Sequence, residues 1–168
     1  MNLPTAEKKD SQGLCFVGKV DFGYFLRSLL PRQEGSVVTS DGTVIGKHDG
    51  VSFYTIGQRH GLGIGGGVPY YVAEKDVTTN TLVVGEGRHD PILYKKEISV
   101  GHLNWLSDFR KGRCEVRIRY RQPKAPTLVI KENNRVRVVF DVPQRGVAPG
   151  QPAVFYDQEK VLGGGIIL

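Results

Sequence analysis

The sequence predicts a mainly β protein with one short helix, in which a small mixed β region is followed by an antiparallel β-barrel. Three observations predict it. Apolar residues recur at helical spacing only once, near the start of the chain. From Gly35 onward, short β-branched or aromatic runs alternate with turn residues at regular spacing. Glycine (22) and proline (9) are abundant in 168 residues, as expected where many short strands need turns. An apolar fraction of 39% with 24% charged residues places the chain among globular proteins, and its length supports a real core without disulfide staples.

Residues 5–12 are polar and of mixed charge, and lead into Gly13-Leu14-Cys15-Phe16-Val17-Gly18, read as a loop or short strand. Asp21 then precedes Phe22, Phe25, Leu26, Leu29 and Leu30, which fall at i, i+3, i+4, i+7 and i+8. That is the apolar stripe of a helix, which Asp21 can cap and Pro31 stops. Next, 37–39 and 44–46 flank Ser40-Asp41-Gly42, a hairpin signal because glycine tolerates the positive φ of tight turns. Residues 70–73 and 81–84 read as a second antiparallel pair. The glycine run 61–67 between these pairs reads as a loop, and Gln58-Arg59-His60 before it is polar enough to touch RNA or a neighbouring domain.

A second unit begins at Lys95, with Ile98, Val100 and His102-Leu103-Asn104-Trp105. Cys114, Val116, Ile118 and Tyr120 alternate with Arg113, Glu115, Arg117, Arg119 and Arg121. This period of two turns the first set, Cys114 and Tyr120 included, into the core and sets four arginines on the other face. Residues 128–131 and 136–140 flank Glu132-Asn133-Asn134-Arg135 as a hairpin, and 154–156 and 161–168 add two strands with Gly163-Gly164-Gly165. Six or so short strands without a helical pattern indicate a small closed or nearly closed barrel. The expected division is 1–32, a cysteine-bearing loop and short helix; 33–94, a mostly β domain; and 95–168, the barrel.

The net charge of +6 is unevenly distributed. Residues 1–94 hold 9 Lys and Arg against 10 Asp and Glu, whereas 95–168 hold 14 against 7. A polyanion would therefore meet the second part. Like charges at alternate strand positions repel, so the arginine face implies a phosphate partner, with Tyr120 able to stack on unpaired bases where a bulge or strand end at that residue turns it out of the core. The alternative is a solvated charged face. No run of 18 apolar residues appears and no apolar core of a signal peptide stands near Met1, so neither membrane spanning nor export is expected. Two cysteines in different surroundings suit a reducing, cytoplasmic setting. The glycine run lacks the context of a phosphate loop, because Val68-Pro69-Tyr70-Tyr71 follows it instead of a helix. The four histidines show no ligand spacing, so no metal is assigned. Cys15 has Lys8, Lys9 and Lys19 nearby in sequence, cations of the kind that favour a reactive thiolate, although a lone cysteine can equally be a small hydrophobe.

The segment Lys8-Lys9-Asp10-Ser11-Gln12-Gly13-Leu14-Cys15-Phe16 resembles the tRNA-specific 2-thiouridylases. The likeness continues in order through Gly57-Gln58-Arg59-His60-Gly61-Leu62-Gly63, Tyr71-Val72-Ala73-Glu74-Lys75-Asp76, His102-Leu103-Asn104-Trp105, Arg119-Tyr120-Arg121-Gln122, Pro149-Gly150-Gln151-Pro152-Ala153 and Leu162-Gly163-Gly164-Gly165. Members of that family begin with a nucleotide-binding domain of the ATP pyrophosphatase type, with a Ser-Gly-Gly-x-Asp-Ser loop and a first catalytic cysteine. Neither motif occurs here. The chain thus looks like the last part of such an enzyme, ending in a β-barrel like those of translation factors. The resemblance implies an enzyme that replaces the C2 oxygen of the wobble uridine in tRNA with sulfur, using ATP and Mg in the missing N-terminal domain to adenylate that oxygen. It also implies that Cys15 receives sulfur as a persulfide from a sulfur-carrier protein and closes a disulfide with the first cysteine on release. Arg119, Tyr120 and Gln151 match positions that contact tRNA. The 168 residues alone are expected to be inactive. Two other readings are an RNA-binding accessory module in which Cys15 is structural, and a redox sensor pairing Cys15 with Cys114, which their loop and core placements oppose.

Overall fold

The computed structural model describes residues 22–65, 67–120 and 122–168, and the chain divides into two compact units, 1–32 and 33–168. Cys15, the expected cap Asp21 and Arg121 lie outside the described residues. In the first unit the described element is α1 (Phe22–Leu29), where the 3.6-residue stripe predicts it. Leu30 N–H donates to Leu26 C=O (2.9 Å) before Pro31 ends the helix. Phe25 and Leu26 are half-buried, while Tyr24 and Leu29 are exposed.

The second unit holds a four-stranded sheet and a closed six-stranded barrel. The sheet comprises β1 (Gly35–Thr39), β2 (Val44–His48), β3 (Tyr70–Asp76) and β4 (Thr81–Glu86), in the order β2-β1-β4-β3. Both expected hairpins form. In the first, Gly42 takes a φ of +87°, and the Asp41 carboxylate accepts from Thr43 N–H (3.2 Å) and from the Thr39 hydroxyl. The sequence reading did not foresee that β1 and β4 pair in parallel, Ser36 opposite Thr81 and Thr39 opposite Val84, joining the hairpins into one sheet. Val37, Val72, Leu82 and Val84 are fully buried there, with Val51, Tyr54 and Leu62 closing over them. Between β2 and β3 the described part of the glycine run carries neither helix nor strand.

The barrel strands are β5 (Tyr94–Trp105), β6 (Gly112–Arg117), β7 (Ala125–Glu132), β8 (Arg135–Arg145), β9 (Pro152–Asp157) and β10 (Lys160–Ile167). They close in the order β10-β5-β8-β7-β6-β9, with every neighbouring pair antiparallel. Closure removes the exposed edges that an open sheet would carry. Phe140 and Phe155 fill the interior beside Val100, Val116, Val129 and Val138. Gly163, Gly164 and Gly165 lie inside β10, where a Cβ on Gly165 would stand 2.5 Å from Gly101 O. A side chain does not fit between β10 and β5 at that point.

One expectation about β6 needs correction. The strand ends at Arg117, so alternation stops there: Ile118 is still buried, but Arg119 and Tyr120 belong to the bend and turn that follow. Tyr120 is 66% exposed and does not enter the core. Among the described residues, no helix is long and apolar enough to cross a membrane.

Candidate nucleic-acid interface

Register fixes which residues share an end of the barrel. Arg117 pairs with Val154 where β6 ends and β9 begins, so the turn carrying Arg119 and Tyr120 emerges beside the turn carrying Gln151. Gln151 is half-buried and held by its backbone, its N–H donating to Ala148 C=O (3.3 Å) and its C=O accepting from Ile167 N–H (2.9 Å). The three residues expected to touch RNA thus stand at one end of the barrel, Tyr120 the most exposed.

The described arginines of this face, Arg113, Arg117 and Arg119, do not form one shared free surface. Arg113 Nη1 lies 2.6 Å from Asp141 Oδ1. The Arg117 guanidinium sits 5.5 Å from the Tyr156 ring centroid, and Lys124 Nζ lies 5.1 Å from the same ring while bonded to Glu159 Oε1 at 2.7 Å. Each cation has found an aromatic or carboxylate partner, which relieves the repulsion that alternation alone would produce. Arg119 turns towards the sheet. Its Nη2 donates to Ile56 C=O (3.2 Å), and its guanidinium packs where a Cβ on Gly146 would be 3.2 Å away and one on Gly57 3.8 Å away. Beside it, Arg145 stacks on Tyr71 at 4.5 Å. Arg119 and Arg145 therefore tie this end of the barrel to the sheet. Sequence reasoning missed Arg145, because its partner is 74 positions away on another strand.

The chemistry of the remaining groups is limited. Cys114 is half-buried with Sγ 3.7 Å from Thr127 Oγ1, and burial pushes its thiol up, away from the thiolate form. Lys75 donates to Tyr54 C=O (2.7 Å), and burial lowers its ammonium pKa. Among the described residues no group of three or more His, Cys, Asp or Glu is placed to hold a metal ion. Gly57 to Gly65 lead into a strand, which offers no helix N-terminus to a nucleotide phosphate.

Comparison with known proteins adds the family context. Residues 95–167 match the family model described as an aminomethyltransferase beta-barrel domain, and residues 23–86 match a tRNA methyl transferase PRC-barrel domain. A relative from Marinobacter nauticus, named tRNA-specific 2-thiouridylase MnmA, is 47% identical over 97% of this chain and 44% of its own length. Proteins of the same name from Geobacillus thermodenitrificans (49% identical, 98% of this chain, 46% of that protein) and Bacillus subtilis (47%, 98% and 46%) are similarly close. The chain spans about half the length of the curated relatives it matches.

Proposed function

The chain belongs to the tRNA-specific 2-thiouridylase family, and on that premise we propose that it is the sulfur-accepting and RNA-contacting part of an enzyme that replaces the C2 oxygen of the wobble uridine in tRNA with sulfur. The observation that carries this reading is near-complete coverage of the chain, at 47–49% identity, by proteins named for that activity. The enzyme works in the cytoplasm, and its other half holds the nucleotide-binding domain and a first cysteine.

The Cys15 thiolate attacks the outer sulfur of a persulfide on a sulfur-carrier protein. A new S–S bond forms, the carrier's own thiol leaves, and Cys15 holds a persulfide. The terminal sulfur then attacks C2 of the uridine and the C2 oxygen departs. The first cysteine attacks Cys15 Sγ, closing a disulfide and releasing thiolated tRNA; a thiol reductant resets the pair. ATP with Mg, bound by the other half, supplies a good leaving group at the C2 oxygen. Among the described residues the glycine run leads into a strand and offers a nucleotide phosphate no helix N-terminus, so no step here runs through it. Tyr120 and Gln151, on adjacent turns at one barrel end, suit contacts to an RNA base or ribose, and Arg119 holds that end against the sheet.

The test is made in the complete enzyme. Cys15→Ser abolishes tRNA thiolation while tRNA affinity stays within a few-fold, because a hydroxyl cannot carry the persulfide. Cys114→Ser keeps activity. Incubation with a sulfur donor leaves a persulfide on Cys15 and none on Cys114. Retained thiolation in Cys15→Ser overturns the assignment and favours the accessory RNA-binding module.

A further inference from the structure

The end of the barrel opposite Tyr120 and Gln151 carries a groove that the family reading does not use. There the turn between β7 and β8 stands beside the segment 106–111 that links β5 to β6, because Gly112 pairs with Val129 and Glu132 with Arg135. Two adjoining hollows of about 830 and 1070 Å³ share Arg110, Lys131, Asn133 and Asn134. Trp105 lines the first, its ring packed 5.0 Å from Phe155 and 5.6 Å from Phe109. Arg110 lies 5.7 Å over that ring, and its Nη1 donates to the carbonyls of Ser107 (2.5 Å) and Phe109 (2.7 Å). The Arg110 cation is thus fixed by backbone oxygens.

Charge complementarity gives the class of ligand. Arg110, Lys111, Lys131 and Arg135 line the two hollows against one acid, Glu132, which Arg135 and Arg137 share at 3.5 and 2.9 Å. Lys111 and Lys131 are exposed, and among the described residues neither has a carboxylate within ion-pair distance. Elsewhere on the barrel Arg113, Lys124, Lys95 and Arg137 each have an acid partner. Among the described residues Lys96, Arg117, Arg119, Arg145 and Lys160 have no acid within ion-pair distance either, so what sets this groove apart is that Arg110, Lys111 and Lys131 line it together against one acid. An acidic protein surface would need only the lysines. A guanidinium placed 5.7 Å over an indole, with two amides from Asn133 and Asn134 lining the same hollows, is suited to the phosphates, riboses and base faces of RNA.

We propose that this groove is a second RNA-backbone site, with phosphates on Lys111 and Lys131 and the Arg110–Trp105 pair as its platform. The proposal rests on the reading of this chain as part of a tRNA-modifying enzyme. It adds a contact one strand length, roughly 20 Å, from the Tyr120 end, so that one folded RNA is gripped at both ends of the barrel.

Trp105 is the only tryptophan in the 168 residues, so its emission reports directly on the groove. An unmodified tRNA transcript is titrated into this chain at several salt concentrations, with wild type and with Lys111→Ala/Lys131→Ala. Wild type shows a saturable change in Trp105 emission. The double variant melts like wild type, binds several-fold more weakly at low salt, and has a salt slope reduced by about two released counterions. A wild-type slope in the double variant, or emission unmoved at saturation, overturns the groove. If the double variant binds tRNA normally but loses an acidic sulfur-carrier protein, the groove is a protein-docking surface. Thiolation by the complete enzyme is scored separately: its absence, with tRNA binding as above, refutes the reaction and leaves the groove standing.

Discussion

His48 is 4% exposed, and its imidazole is placed by two hydrogen bonds: Gly50 N–H donates to Nδ1 (2.9 Å), and Nε2 donates to Asn80 C=O (3.1 Å). Asn80 sits at a φ of +50° and reaches Gln33 and Glu34 carbonyls through Nδ2, at 2.8 and 3.1 Å. The two residues together pin the ends of β1 and β2 to the β3–β4 turn. In the sequence His48 is one of four scattered histidines, and its role was unreadable because its partner lies 32 positions away. Burial holds its pKa below the ordinary histidine value, opposed first by the hydrogen bond to Asn80 C=O and then by the Asp49 charge. The folded state therefore prefers neutral imidazole while the unfolded chain titrates near 6.5. The stabilisation is complete above about pH 6.5 and is lost as pH falls below it, by up to about 1.4 kcal/mol per unit until the folded pKa is reached. Urea midpoints at pH 7.5 and 5.5 check this: the midpoint falls on acidification in wild type and falls less in His48→Gln. An equal fall in both places the sensitivity elsewhere.

Among the elements, what was legible followed from local signals. The stripe of α1, the Asp41-Gly42 turn and the Asn133-Asn134 turn each encode their geometry within a few residues, and each element formed where expected. The parallel pairing of β1 with β4 and the end of β6 at Arg117 were not legible, because both depend on distant partners. The triple glycine in β10 lies between these cases: the composition was plain, but its reason is the close approach of β5. Gly165→Ala forces its Cβ to 2.5 Å from Gly101 O and 2.7 Å from Val100 Cγ1, so β5 must shift at the barrel seam. We expect a loss of about 1–3 kcal/mol, read as a fall of several degrees in the melting midpoint. Gly65→Ala, which meets nothing within 4 Å, is the control and stays within about 0.5 kcal/mol. Equal effects of the two substitutions would show that closure does not require the glycine.

At the scale of the whole second unit, the barrel's tie to the sheet decides how the candidate RNA contacts are held. Arg119 donates to Ile56 C=O from within the junction, Arg145 stacks on Tyr71, and Lys95 pairs with Glu74. Tyr120, next in the chain, is exposed and takes no part in that junction. The two neighbours should therefore separate experimentally. Arg119→Ala leaves Ile56 C=O without its donor and opens the packing against Gly146, costing about 1–2 kcal/mol of folding stability. If half-buried Arg119 also meets a phosphate, as the family resemblance implies, the salt slope of tRNA binding falls by about one counterion in the same variant. Tyr120→Ala leaves the melting midpoint unchanged and weakens tRNA binding by roughly 1–3 kcal/mol at every salt concentration, because stacking releases no counterions. The measurement is a melting curve and a salt-resolved tRNA titration for each variant of this chain. A lowered midpoint with an unchanged slope in Arg119→Ala would make Arg119 a tie between barrel and sheet alone. An unchanged affinity in Tyr120→Ala would remove this end of the barrel from the RNA surface and leave the opposite groove to carry it.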